Sequence, residues 1–221
     1  MAVALVSHTS VASSGGANVT TAGINTAGAT LLVAVIGFLS AGGRTMSLTD
    51  SNSNTWSQLT QNDGTLANQT YYAVNPTVGA GHTFTGTNGG TTAYGSLCVA
   101  AFSGVVTTTP FDQSNGAQNA SSTTQQPGSI TPSANNELVV TTLENNTPLN
   151  TLTINGSYSI TDQVTAVGGN TVGSGLAYWV QTTATATNPT WTQSVASAAN
   201  LVIMSFKATA AATNSNFFTF M

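Results

Sequence analysis

The chain is almost without charge. Of 221 residues, 2 are Lys or Arg and 6 are Asp or Glu, 4% in all, where an ordinary soluble domain is about one quarter charged. The cations are Arg44 and Lys207; the acids are Asp50, Asp63, Asp112, Asp162, Glu137 and Glu144. Two scattered cations in a chain of net charge -4 cannot displace counterions from phosphate, which excludes a nucleic-acid partner. Histidine is equally scarce, His8 and His82 only, so few groups can titrate or bind a metal. The expectation is a protein that is not an enzyme, with no catalytic, cofactor or metal residues. Cys98 is the single cysteine, which rules out an intrachain disulfide. Its setting in the apolar run Leu97-Cys98-Val99-Ala100-Ala101-Phe102 predicts a buried, inert thiol. Long hydrophobic runs are missing too. The longest, 29–41 around Leu31-Leu32-Val33-Ala34-Val35-Ile36, falls short of the roughly 18 residues of a membrane span, so no membrane partner is expected and the run reads as a central strand buried on both faces. The start, Met1-Ala2-Val3-Ala4-Leu5-Val6, has no basic region ahead of a long apolar core, and reads as a first strand rather than a signal peptide.

What the chain has instead is hydroxyl and amide: 40 Thr, 23 Ser and 21 Asn. These groups hydrogen-bond water without the long-range field that keeps copies of a protein apart. Such a surface suits a protein packed among copies of itself or against a larger assembly. At 40% apolar the chain has enough to bury, and disorder is not expected. Short β-branched and aromatic runs alternate with Gly, Asn, Ser and Pro clusters, and a 3.6-residue apolar period is almost absent. The fold class is all-β. Asn88-Gly89, Asn115-Gly116 and Asn155-Gly156, with Asn75-Pro76 and Asn188-Pro189, mark expected turns.

The chain also repeats itself. Leu31-Leu32-Val33 answers to Leu138-Val139-Val140, and each follows a Gly, Ile, Thr pattern at Gly23-Ile24-Asn25-Thr26 and Gly128-Ser129-Ile130-Thr131. Ser47-Leu48-Thr49-Asp50 matches Ser159-Ile160-Thr161-Asp162, and Tyr72-Ala73-Val74 matches Tyr178-Trp179-Val180. His82-Thr83-Phe84-Thr85 matches Pro189-Thr190-Trp191-Thr192, and Ala101-Phe102 matches Ser205-Phe206. The order is kept throughout. The expected architecture is a jelly-roll-like β-sandwich, 1–208, built from two related halves, 1–105 and 127–208, with a connection at 106–126; two Ig-like modules are the alternative. The remaining 209–221 reads as a tail.

Candidate sites are few. Asp50-Ser51-Asn52-Ser53-Asn54 begins like a calcium loop but has Thr55 where the glycine belongs and Gln61 where the bidentate acid belongs, so a polar turn is expected. Asp50 and Asp162 resemble a glycosidase pair only in being two acids; their matched positions point to a shared turn-closing role. Trp56, Tyr94 and Trp179 are the aromatics assigned to glycan contact, against core packing as the commoner use of such residues. The tail ends in Phe217-Phe218-Thr219-Phe220-Met221. Four large apolar side chains on a polar tether call for a docking site, on the same sandwich or on a neighbour by strand addition, so Phe217, Phe218, Phe220 and Met221 are the assembly candidates.

The all-β, Thr/Ser/Asn/Gly-rich body, the internal repeat and the aromatic tail together resemble virion structural proteins of tailed bacteriophages, of the capsid decoration and head-fibre type. Tyr72-Ala73-Val74-Asn75-Pro76-Thr77-Val78-Gly79 and Pro110-Phe111-Asp112 are also similar to β-rich domains of bacterial surface proteins. The resemblance implies a role on the virion surface, with copies of the same chain and a major capsid or other virion protein as partners. A carbohydrate-binding or adhesive module at the cell surface, with a glycan partner, and a self-assembling filament subunit are the alternatives.

Overall fold

A computed structural model describes all residues except Ser14, 40–45, 60–65, 90–93, 146–150, 166–171 and 211–221. Among the described residues there is no helix. The strands are β1 (Ala4–Ser13), β2 (Asn18–Thr20), β3 (Leu31–Leu39), β4 (Met46–Asp50), β5 (Ser57–Gln58), β6 (Leu66–Val74), β7 (Phe84–Asn88), β8 (Gly95–Ser103), β9 (Phe111–Gln125), β10 (Glu137–Asn145), β11 (Leu152–Ile154), β12 (Ser159–Val164), β13 (Gly173–Gln181) and β14 (Trp191–Phe206). All pairings are antiparallel. One large sheet has the order β1-β8-β3-β6-β5, a small one β2-β7-β4, and a second large one β11-β14-β10-β13-β12 with β9 paired to β14.

The three sheets are stacked, with the first large sheet in the middle, and this explains the continuous apolar run of β3. Because strand side chains alternate between faces, Leu32, Ala34, Ile36 and Phe38 point toward the small sheet. There they meet Val19, Met46, Leu48 and Phe84. Leu31, Val33 and Val35 point the other way, toward Leu138, Val140, Val202, Met204 and Phe206 of the second large sheet. The far face of that sheet carries Leu143, Trp191 and Leu201, roofed by Leu152 and Ile154, and Val139 and Ile203 under Ile130. At roughly 1.5–3 kcal/mol for each fully buried Leu, Ile, Val or Phe side chain, these layers are the main source of stability.

The two large sheets share a register. Leu31 lies opposite Val74 and Phe102; Leu138 lies opposite Val180 and Phe206. Ile24 bridges His82 as Ile130 bridges Thr187. Between the sheets, Tyr72 meets Phe206 at 5.3 Å and 66°, and Tyr178 meets Phe102 at 5.2 Å and 61°. Matched residues thus make the same contact with the partners exchanged.

Three local expectations differ from the structure. Ser47-Leu48-Thr49-Asp50 lies in β4 of the small sheet, whereas Ser159-Ile160-Thr161-Asp162 lies in β12 at the edge of a large one, so these two do not hold corresponding places. The stretch 106–126, expected as a connection, contains the 15-residue β9, whose pairing along β14 satisfies its backbone despite its polar composition. Asn115-Gly116 is inside that strand, opposite Ile203 and Val202, where ladder pairing overrides the turn preference of the dipeptide. Asn75, at φ +49°, does leave β6 in a left-handed turn, as does Gly156 at +72° after β11.

Candidate functional site

The most organised polar cluster surrounds Asp50 at the end of β4. Its Oδ1 accepts the Asn52 amide at 2.8 Å and the Asn54 side-chain amide at 3.1 Å, and its Oδ2 accepts the Trp56 indole N–H at 2.7 Å. His82 Nε2 lies 2.9 Å from Oδ1, and His82 Nδ1 lies 3.0 Å from Thr26 Oγ1. Burial alone would raise the Asp50 carboxyl; the bonds from His82, Trp56, Asn52 and Asn54 outweigh it and hold the group below its ordinary value. Because a carboxylate can only accept, the His82 Nε2–H donates to Asp50, and Thr26 Oγ1 faces the other ring nitrogen. The local chain explains the rest: Ser53 takes φ +58°, wrapping 51–55 around the carboxylate in an Asx-type turn.

Hydroxyl, imidazole and carboxylate in that order are the arrangement of a nucleophilic triad. Here the His82 and Asp50 side chains are fully enclosed and Thr26 has no exposed surface. Thr26 Oγ1 also accepts the Gly79 amide at 3.1 Å. No face of the hydroxyl is left for a substrate, so the cluster ties the loop after β4, the 21–28 segment and the start of β7 together. The carboxylate that a calcium loop would offer to a cation is used by the protein's own donors.

Asp162 does a different job. Its Oδ2 lies 3.0 Å from His8 Nδ1, linking β12 to β1 across the two large sheets, with His8 exposed. A third acidic cluster sits where β9, β10 and β14 meet. Asp112 accepts the Ser133 amide at 2.8 Å and its hydroxyl at 2.7 Å, and Lys207 Nζ lies 3.6 Å from Asp112 Oδ1. Burial opposes ionisation of Asp112, but the Ser133 bonds and the Lys207 charge prevail and lower it. Glu137 beside it is pushed up, first by burial and then by the Asp112 charge, against bonds from Ser205, Ala134 and Ser133. Lys207 lines an open cleft of about 630 Å³ with Thr107, Thr108, Thr109 and Asn135. Among the described residues no three His, Cys, Asp or Glu side chains come together as a metal site.

The aromatics assigned to glycan contact are dispersed. Trp56 is half-buried, its indole N–H held by Asp50 and its ring edge-on to Phe84 at 6.1 Å, on the small-sheet side of the molecule. Trp179 is half-buried on the opposite outer face, 5.7 Å from Tyr158. Tyr94 is half-buried immediately before β8. They form no common platform. Phe217, Phe218, Phe220 and Met221 lie outside the described residues, as do Arg44 and Asp63.

The sequence reading missed the pairing of His82 with Asp50, and of His8 with Asp162. Partners 32 and 154 residues apart leave no local signal; the one clue was that the chain keeps only two imidazoles. Comparison with known proteins gives no match: no family model fits the chain, and no curated protein or solved structure is significantly similar to it.

Proposed function

We propose that the protein is a non-enzymatic structural component of a virus particle, a decoration or fibre-type subunit that adds to a capsid surface as an oligomer of identical chains. The observation that carries this reading is the use to which the chain puts its rare ionisable groups. Asp50 and His82 brace a loop, Asp162 and His8 join two sheets, and Asp112 and Lys207 fasten strand ends. Each of these carboxylates is spent inside the fold, in a chain whose polar groups are otherwise mostly neutral hydroxyl and amide. The matched registers of the large sheets favour a duplicated sandwich packed on its own copy. Binding by such a surface rests on apolar contact, backbone pairing and neutral hydrogen bonds, and is therefore insensitive to salt.

Light scattering of the full-length protein across a concentration range, with negative-stain images of the same fractions, tests the proposal. A closed oligomer is expected, a filament being the open form of the same behaviour. Deleting 217–221 should abolish assembly and leave the β-rich fold intact. Assembly unchanged by that deletion removes the tail from the mechanism, and a chain that is monomeric and fails to bind any particle removes the proposal.

A second reading, a glycan-binding surface module, is favoured by the Trp179–Tyr158 pair on the outer face of the second large sheet. A glycan array probed with the protein and with Trp179→Ala separates the two: loss of a specific signal in the variant supports the module, and an array without signal disposes of it.

A further inference from the structure

The large sheets end in five edge strands, β1, β5, β9, β11 and β12, and four of them are guarded against pairing with another chain, β11 by having only three residues. β5 has only two residues. β12 has six, with a bulge between Ile160 and Asp162 and an acid at the break. β9 is long, but its register shifts three times along β14. Its side chains also hold the next segment alongside it. Ser133 and Thr131 donate their amides to Asp112 and Gln113 at 2.8 and 3.2 Å, while Asn115 and Asn119 donate to the carbonyls of Ser129 and Gln126, each at 3.0 Å. Bulges, charge and covering segments are the usual means by which edges are blocked.

β1 lacks them. Its one bulge falls between Leu5 and Ser7, after which residues 7–13 pair regularly with β8. That stretch, Ser7-His8-Thr9-Ser10-Val11-Ala12-Ser13, has no Lys, Pro, Gly or acid. Among the described residues the backbone of 7–12 bonds to β8 alone, so every second residue turns its N–H and C=O outward over about 20 Å. His8, the one titratable group on the strand, is turned toward the second large sheet, where Asp162 holds its ring.

We infer that this edge is the contact between two copies of the chain, β1 pairing antiparallel with β1 of the second copy. The inference deepens the assembly reading above and rests on it. A partner of the same sequence fits because self-pairing of an uncharged strand places no like charges opposite one another, and because antiparallel self-pairing is isologous: it uses the edge once and closes into a two-fold dimer. The result is a continuous ten-stranded sheet running through both molecules. Larger assembly then needs a separate contact, which leaves the tail its own role.

The test is sedimentation of the full-length protein and of Thr9→Lys, combined with hydrogen–deuterium exchange of the wild type at high and low concentration. The expected result is a wild-type dimer that Thr9→Lys weakens by about tenfold or more, with an unchanged far-ultraviolet spectrum. Alternate amides of residues 7–12 should be protected only at high concentration. Self-association that Thr9→Lys leaves intact, or β1 amides whose exchange ignores concentration, overturns the β1 contact while sparing the assembly reading. A wild type monomeric at every concentration and on a capsid overturns both. Should Thr9→Lys not fold, the exchange pattern of the wild type alone decides.

Discussion

The Glu144 carboxyl fills the space that a side chain at Gly37 would need. A Cβ placed on Gly37 would lie 2.5 Å from both Cδ and Oε1 of Glu144. The two residues hold corresponding places in the two large sheets: Gly37 lies opposite Asn68 and Ser96, and Glu144 opposite Ser174 and Asn200. At this point the stack brings a residue against its own counterpart, and only one of the two can have a side chain. Glu144 is wholly buried, neither carboxyl oxygen has a hydrogen-bond partner among the described residues, and burial pushes the group well above the usual carboxylate range.

Stability should therefore fall as pH rises. Above the ordinary Glu value of about 4.3 the unfolded chain releases the Glu144 proton and the folded chain keeps it, so the unfolded state binds fewer protons and gains on the folded one. Glu144→Gln, neutral at every pH, removes this penalty. Its melting temperature should exceed the wild type by several degrees at about pH 8, and the gap should close near about pH 4. Identical melting curves at both pH values would mean that the carboxylate is solvated or paired.

Asp50 acts in the opposite direction. Its folded-state carboxyl is held below the ordinary value, so its contribution is present above that value and is lost as pH falls through the lowered one. Asp50→Ala leaves the Trp56 indole, the His82 ring and two backbone amides without their acceptor. It should destabilise the protein by about 2–4 kcal/mol in urea titrations at neutral pH, with a smaller difference in acid. Trp56→Phe removes a single donor and should lose about 1 kcal/mol. A loss for Asp50→Ala no larger than that of Trp56→Phe would show that the carboxylate does not organise the loop.

Cys98 reports on the layer between the large sheets. It lies fully buried there with its Sγ 3.4 Å from Ser174 Oγ, and burial raises its thiol to about 12. A thiol reagent at about pH 8 should not label the native protein, and should label it in denaturant at the rate of unfolding. Rapid labelling without denaturant would show that the two large sheets separate in solution.

The all-β class, and the place of the apolar run in β3 at the centre of a sheet, were legible because both rest on local composition and periodicity. The correspondence of Leu31, Tyr72 and Phe102 with Leu138, Tyr178 and Phe206 was also legible, since core positions keep their chemistry. The match of Asp50 with Asp162 failed: a Ser-x-Thr-Asp phrase is ordinary in a chain this rich in Thr and Ser, and polar residues outside the core are not held to one place. β9 escaped because its side chains carry no apolar alternation; it is a strand through its partner, β14. The Asp50–His82–Thr26 cluster escaped for a related reason, since it is assembled by three segments that only the finished sheets bring together.

Within each large sheet an outermost strand pairs with one made roughly 65 to 100 residues later, β1 with β8 and β9 with β14. On the ribosome, the first sheet can therefore close well before the second exists. During that interval Leu31, Val33, Val35, Ala100 and Phe102 have no cover, because what buries them is still being translated. Two nascent chains on one messenger would offer each other equivalent faces at that moment. The speed of elongation through the second half, and the crowding of ribosomes on the transcript, thus govern how much of the product is correctly paired within a single chain.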